Sequence, residues 1–265
     1  MWNEDFRDMK PVVMDFSGIY REEDFLKEEE AFWLDCRKLQ GVNCYCSQEA
    51  EQEILDKIRE LPVEGIRFLD SGNYHYLTKI WLEKMETPFS LLVFDNHTDM
   101  QEAAFFGLLS CGSWAGEVLE NHPMLEGICV AGPSCRDFQE YKGENQEKLT
   151  RICREELLDK GEQLLLEFLE KDRELPLYIS VDKDVLRTSE ARTNWDQGDL
   201  SLEQLFKWLE LAFEKRKVLA VDICGENPPD TASAVSGEDL EINARTNKKL
   251  LAFIKNHMKC QVILD

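Results

Sequence analysis

Short apolar runs punctuate the chain: PVVMDF at 11–16, VNCYC at 42–46, GIRFL at 65–69, SLLVF at 90–94, GICVA at 127–131, LYISV at 177–181, KVLAVDIC at 217–224 and CQVIL at 260–264. Their brevity and their richness in Val, Ile, Leu and aromatic residues predict about eight β-strands. Between them, apolar positions recur every three or four residues over 24–39, 48–60, 74–85, 145–171, 201–215 and 238–258. Leu202, Leu205, Phe206 and Leu209 trace one helix face, and Ser201 with Gln204 predicts a capping box at its start. Strand, helix and strand in alternation demand crossovers that return the chain to the same edge. The expected fold class is therefore α/β, a three-layer sandwich with a mostly parallel sheet of about eight strands. The stretches 132–144 and 187–200 carry glycines and are expected to be loops near a site.

Length and composition narrow this picture. A chain of 265 residues, 43% of them hydrophobic, can bury one large core, so a single domain over 1–265 is expected. No run of eighteen apolar residues is present and the start, MWNEDFRDMK, is acidic, which reads as a soluble cytoplasmic protein without a secretory signal. A net charge of −22 argues against nucleic acid and anionic membrane surfaces as partners. The nine cysteines are odd in number and scattered, the pattern of reduced thiols and not of a disulfide framework. Cys44 and Cys46 form a close pair whose spacing does not match a zinc knuckle.

The chemistry is expected where two apolar runs end in polar strings. Asp95-Asn96-His97-Thr98-Asp99 follows SLLVF, and Asp182-Lys183-Asp184 follows LYISV. A turn after the first strand can gather Asp95, His97 and Asp99 around one centre, while Asp182 and Asp184, two apart, point to one side of the pleat. In an open α/β sheet, ligands collect at the carboxyl ends of the strands. Isolated acids at strand ends are common, but two such clusters, one holding one of four histidines, point to a metal site. A mixture of carboxylate and imidazole suits Mn²⁺, Zn²⁺ or Fe²⁺, and carboxylate-rich sets lean towards Mn²⁺. Two divalent cations would balance the four carboxylates and activate water, which makes the site that of a hydrolase.

These strings resemble the metal-binding motifs of the ureohydrolases, the family of arginase, agmatinase and formimidoylglutamase. DNHTDMQ matches D-A-H-x-D with Asn96 for Ala, SVDKDVL matches S-x-D-x-D, and Gly72-Asn73-Tyr74-His75 is similar to G-G-D-H. The resemblance runs from residue 65 to about 230. It implies an arginase-like fold and two Mn²⁺ ions, one held by His75, Asp95, Asp99 and Asp182 and the other by Asp95, His97, Asp182 and Asp184. It further implies a metal-bridging hydroxide that attacks a guanidino, amidino or formimino carbon, with Asp99 moving the proton, and an oligomeric tendency.

Some positions depart from the family pattern. Cys111, in Ser110-Cys111-Gly112-Ser113-Trp114, stands where arginine-cleaving members carry a shuttle histidine, and it is either a relay or a structural thiol. Gly225 aligns with a guanidinium-binding Glu, which leaves Glu226 one residue late as its replacement. Gln101 and Trp195 are candidate substrate contacts. His122 and His257 fall in no cluster and read as structural. The substitutions at 111 and 225 suggest a substrate other than arginine. Two alternatives remain: a metal-binding relative without turnover, and a zinc deacetylase, which the lack of adjacent histidines disfavours.

Overall fold

In the computed structural model, residues 10–27, 29–102, 108–157, 159–228 and 236–264 are described, the side chains of 262–264 excepted. The acidic N-terminal segment, read above as lacking a signal, lies almost wholly outside them.

Eight parallel strands form one sheet in the order β2-β1-β4-β10-β9-β5-β7-β8. They are β1 (Val12–Asp15), β2 (Phe32–Asp35), β4 (Gly65–Phe68), β5 (Phe89–Phe94), β7 (Leu125–Ala131), β8 (Leu149–Ile152), β9 (Leu177–Asp182) and β10 (Val218–Cys224). The central strands are buried on both faces, as all-parallel sheets must be. Along β5, Leu92 and Phe94 pack into one core while Leu91 and Val93 pack into the other. Helices α5 (Gly161–Glu170), α6 (Leu202–Lys215) and α7 (Gly237–Leu264) cover the first face. Helices α1 (Gln48–Ile58), α2 (Leu77–Leu82), α3 (Trp114–Asn121) and α4 (Cys135–Glu140) cover the second. The result is the three-layer α/β architecture. No described helix is long and apolar enough to cross a membrane.

The strand count agrees with expectation, but two members of the set differ. Run 42–46 contributes only the two-residue β3 (Tyr45–Cys46), which pairs antiparallel with β6 (Leu109–Ser110) in a separate ribbon. Run 260–264 continues α7. There, burial of Leu250, Ile254 and Met258 at four-residue spacing carries the helix onward, and Gln261 Nε2 donates to the carbonyls of Phe213 and Arg216 at 2.7 Å each. A short apolar run has no periodicity of its own to distinguish the two outcomes. The sheet instead gains β2, inside the expected helix 24–39, and β8, at the start of the expected helix 145–171. Both are short edge strands: β2 leaves its apolar Phe32 and Trp33 exposed, and β8 sets two polar residues between two buried apolar ones, so neither shows the buried apolar run of a central strand.

The capping box of α6 forms: Gln204 N–H donates to Ser201 Oγ at 3.2 Å and Ser201 N–H to Gln204 Oε1 at 3.0 Å. His122 and His257 bond the backbone carbonyls of Leu82 and Phe253. The expectation of nine reduced thiols needs one correction. Cys135, opening α4, and Cys153, just past β8, are joined as a disulfide, with Cα atoms 5.0 Å apart. Their nearness comes from the β7–β8 pairing, which their spacing along the chain does not reveal.

Candidate metal centre

Four adjacent strands, β4, β10, β9 and β5, deliver their carboxyl ends to one spot. β5 ends at Phe94 and releases Asp95 to Asp99 into a tight turn in which Asp99 takes a left-handed φ of 50°. β9 ends in Asp182, whose Oδ1 accepts from the Asp184 N–H at 2.9 Å and so caps the short turn that presents Asp184. The loop after β4 makes one 3₁₀ turn at Gly72–Tyr74 and sets His75 over the sheet. Gly72 is required there, because a Cβ would lie 2.9 Å from the Trp195 ring and 3.0 Å from Asp182 Oδ2.

The side chains gather into two clusters that share Asp95. In the first, His75 Nδ1 lies 3.0 Å from Asp95 Oδ2, 3.0 Å from Asp99 Oδ2 and 3.7 Å from Asp182 Oδ2. In the second, His97 Nδ1 lies 2.8 Å from Asp184 Oδ2 and 3.5 Å from Asp95 Oδ1. Asp95 thus turns one oxygen to each cluster. Asp182 reaches the first cluster only through Oδ2, its other oxygen being taken by the Asp184 amide. All four aspartates are buried.

Crowding buried carboxylates has an electrostatic cost. Burial, then the charges of Asp184 and Asp95, pushes Asp182 up to about 7. Burial and the Asp95 charge push Asp184 up to about 7 as well. Burial opposes a charge on His97, but the carboxylates of Asp184 and Asp95 outweigh it and raise its pKa. The cage on its own therefore retains protons that a divalent cation would displace.

The donors suit such a cation. His75 Nδ1 is buried and makes no hydrogen bond despite its two carboxylate neighbours at 3.0 Å. Ligands bound at about 2.1 Å around a common ion sit roughly 3 Å from one another, which is the spacing found here. Two groups able to hold an ion, His75 with Asp95 and Asp99, and Asp95 with His97 and Asp184, meet at one shared carboxylate. That is the arrangement of a two-ion centre.

Residues 71–248 match the arginase family. The chain belongs to the arginase family. Members are hydrolases built around a binuclear metal centre, and this chain is an enzyme of that type. An uncharacterised protein of Thermotoga maritima is 34% identical over 218 residues, covering 82% of this chain and 80% of that one. Formimidoylglutamase from Bacillus subtilis superposes with a TM-score of 0.66 at 15% identity, over 97% of this chain and 89% of that chain. Proclavaminate amidino hydrolase from Streptomyces clavuligerus gives 0.64 at 13%, over 94% and 92%. Arginase from Bacillus subtilis gives 0.64 at 12%, over 92% and 97%. At such identities these three establish the fold.

Around this arginase-family centre lies a cavity of about 260 Å³ lined by Cys44, Tyr45, Gln101, Cys111 and Trp195 together with the acidic cage. Gln101, Cys111 and Trp195 therefore share this cavity with the cage. Trp195, 39% exposed, sets its ring edge-on to His97 at 5.7 Å and donates from Nε1 to Asn73 Oδ1 at 2.9 Å.

Glu226 is the exception among the expected site residues. It does not line the cavity, and its fully buried carboxylate bonds Lys183, Asn243 and Asn247. The cause is Gly225, whose φ of 92° turns the chain so that a Cβ there would sit 2.4 Å from Asp182 Oδ1. A bare backbone passes the cage at 225, and the next side chain faces the interior.

Four partners of the cage escaped sequence reasoning. Trp114 Nε1 donates to Asp99 Oδ2 at 2.6 Å, Ser180 Oγ lies 2.9 Å from His75 Nε2, Asp196 Oδ1 lies 3.0 Å from His97 Nε2, and the Cys224 thiol donates to Asp182 Oδ2 at 3.1 Å. Ser180 had a signal as the first letter of S-x-D-x-D, and Asp196 lay in the 187–200 stretch expected to be a loop near the site.

Proposed function

We propose that this chain is a cytoplasmic, Mn²⁺-dependent hydrolase of a non-peptide C–N bond in a guanidino, amidino or formimino compound. His75, Asp95, Asp99 and Asp182 would hold one ion, and Asp95, His97 and Asp184 the other, whereas the resemblance also gave Asp182 to the second ion. The single observation that carries the reading is the shared Asp95, one oxygen turned to each histidine-bearing cluster beneath a cavity of substrate size. Relatives in fold named for amidino hydrolysis and for formimidoylglutamate support the substrate class.

The chemistry supplied by two bound divalent cations is activation of water at neutral pH. The protein's own groups do the rest. Asp99 Oδ2, fixed by the Trp114 N–H at 2.6 Å, would pass a proton to the departing nitrogen. Gln101 and Trp195 would hold the substrate from the cavity wall, and Cys111 is the nearby thiol in the place of a shuttle. Glu226, tied to Lys183, is left out of substrate binding. A guanidinium thus finds no carboxylate at 225 or 226, which favours amidino and formimino substrates over arginine.

The test combines metal analysis with a survey of guanidino, amidino and formimino compounds for release of urea, ammonia or formamide. Two ions per chain and turnover that falls at least ~10²-fold in Asp99→Asn are expected. Protein without divalent metal, or an Asp99→Asn variant at full rate, would sink the reading. Metal bound without turnover on any compound would favour the alternative, a relative that keeps its cage for binding alone.

A further inference from the structure

The β3–β6 ribbon runs over the cavity. Its register pairs Tyr45 with Ser110 and Cys46 with Leu109, so one step outward Cys44 stands opposite Cys111, and the Cys111 N–H donates to the Cys44 carbonyl at 2.9 Å. That backbone bond holds the two residues side by side at the end of the ribbon, and a disulfide between them needs their Cα atoms about 4.4–6.8 Å apart. The two thiols lie within hydrogen-bonding reach of each other, both line the cavity, and both are free.

The two sulfurs differ in character. Cys44 is half-buried, so a small oxidant can reach it, and the hydrogen bond from Cys111 brings its thiol down to about 7. Cys111 is buried, and its thiol is raised by that same bond and by burial. A reachable nucleophilic sulfur with a resolving thiol opposite it is the pairing that peroxide-sensitive cysteines require. Cys44 also holds a left-handed φ of 61°, which no glycine relieves.

We propose that Cys44 and Cys111 form an oxidant-responsive dithiol at the rim of the metal cavity, closing to a disulfide with a peroxide. The Cys44 thiolate attacks one peroxide oxygen and the O–O bond breaks, giving a sulfenic acid and, with one proton, water. The Cys111 sulfur then displaces the sulfenic hydroxyl, which leaves as water with the Cys111 proton. Two thiols lose two electrons, and hydrogen peroxide becomes two waters. The bond staples the ribbon across the rim and removes both S–H groups from the cavity.

The experiment treats the full chain, carrying Cys260→Ser to remove the exposed cysteine, with hydrogen peroxide and maps peptides without reduction. A peptide linking Cys44 to Cys111 should rise roughly tenfold over the untreated protein and vanish with dithiothreitol. Fragment ions assign the sulfur as Cys44 and not Cys46 in the unsubstituted ribbon, so the assignment survives even if a variant misfolds. Cys44→Ser should abolish the link and Cys46→Ala should keep it. Free Cys44 and Cys111 after treatment, or a link made through Cys46, overturns the proposal. This readout is covalent, so it succeeds or fails independently of whether any C–N substrate is turned over.

Discussion

Ser180 fixes the ring of His75, its Oγ lying 2.9 Å from Nε2, with Thr78 Oγ1 a further 3.0 Å along from the same hydroxyl. The tautomer that gives Nε2–H to Ser180 leaves the other ring nitrogen a bare acceptor pointing at Asp95 and Asp99, the state an imidazole needs to bind a cation. Ser180→Ala removes that anchor and strands a buried N–H. We expect metal affinity to fall ~10- to 100-fold, with the ring free to take the wrong tautomer. Chelator competition on purified protein measures it, and unchanged affinity would mean that packing alone orients His75.

Glu23 marks a second buried network, joined through Asn247 and Glu226 to Lys183. Its Oε2 accepts from Asn247 Nδ2 at 2.8 Å while Oε1 has no partner, and Glu226 is close by. Burial, then the Glu226 charge, pushes its pKa up to about 10 despite Lys183 and Asn247. A carboxyl raised in the folded state above its unfolded value of about 4.3 gives its full stabilisation below that value and loses it as pH climbs towards 10. Glu23→Gln mimics the protonated form and removes the titration. Its stability should match the parent near pH 4.5 and exceed it by at least about 1 kcal/mol at pH 8, read from urea unfolding at both. A difference that does not depend on pH would refute the assignment.

The sequence exposed the parts of this molecule whose meaning is local. Asp95, His97 and Asp99, and Asp182 with Asp184, could be found because each string hangs from the end of one apolar strand. His75 needed the likeness to a known motif, since its loop says little alone. Trp114, Asp196 and Cys224 reach the cage from other elements, through contacts that no spacing encodes. The edge strands β2 and β8 hid for a related reason. Each is only four residues long and shows no period-2 alternation, so their apolar residues merged into the three-to-four spacing of the segments around them. Glu226 misled because position along a strand fixes neither the φ of the preceding glycine nor the direction the chain takes after it.

Gly225 is where that turn is made, and it tests how tightly the cage is packed. Its φ of 92° is costly for any residue with a Cβ, and a Cβ would meet Asp182 Oδ1 at 2.4 Å and the Lys183 nitrogen at 2.7 Å. Those atoms belong to the backbone and ligands at the end of β9, so they cannot swing aside as the tip of a long side chain would. Gly225→Ala must therefore displace Asp182 from His75 or unwind the end of β10. We expect a loss of about 1–3 kcal/mol in stability together with at least ~tenfold weaker metal binding. Gly237→Ala is the control, because at the start of α7 a Cβ meets nothing within 4 Å and the substitution should be neutral or stabilising by up to about 1 kcal/mol. Thermal unfolding with and without added Mn²⁺ separates the two effects. An alanine at 225 that leaves both the melting temperature and the metal-dependent shift untouched would show that the glycine is not what keeps a side chain out of the cage.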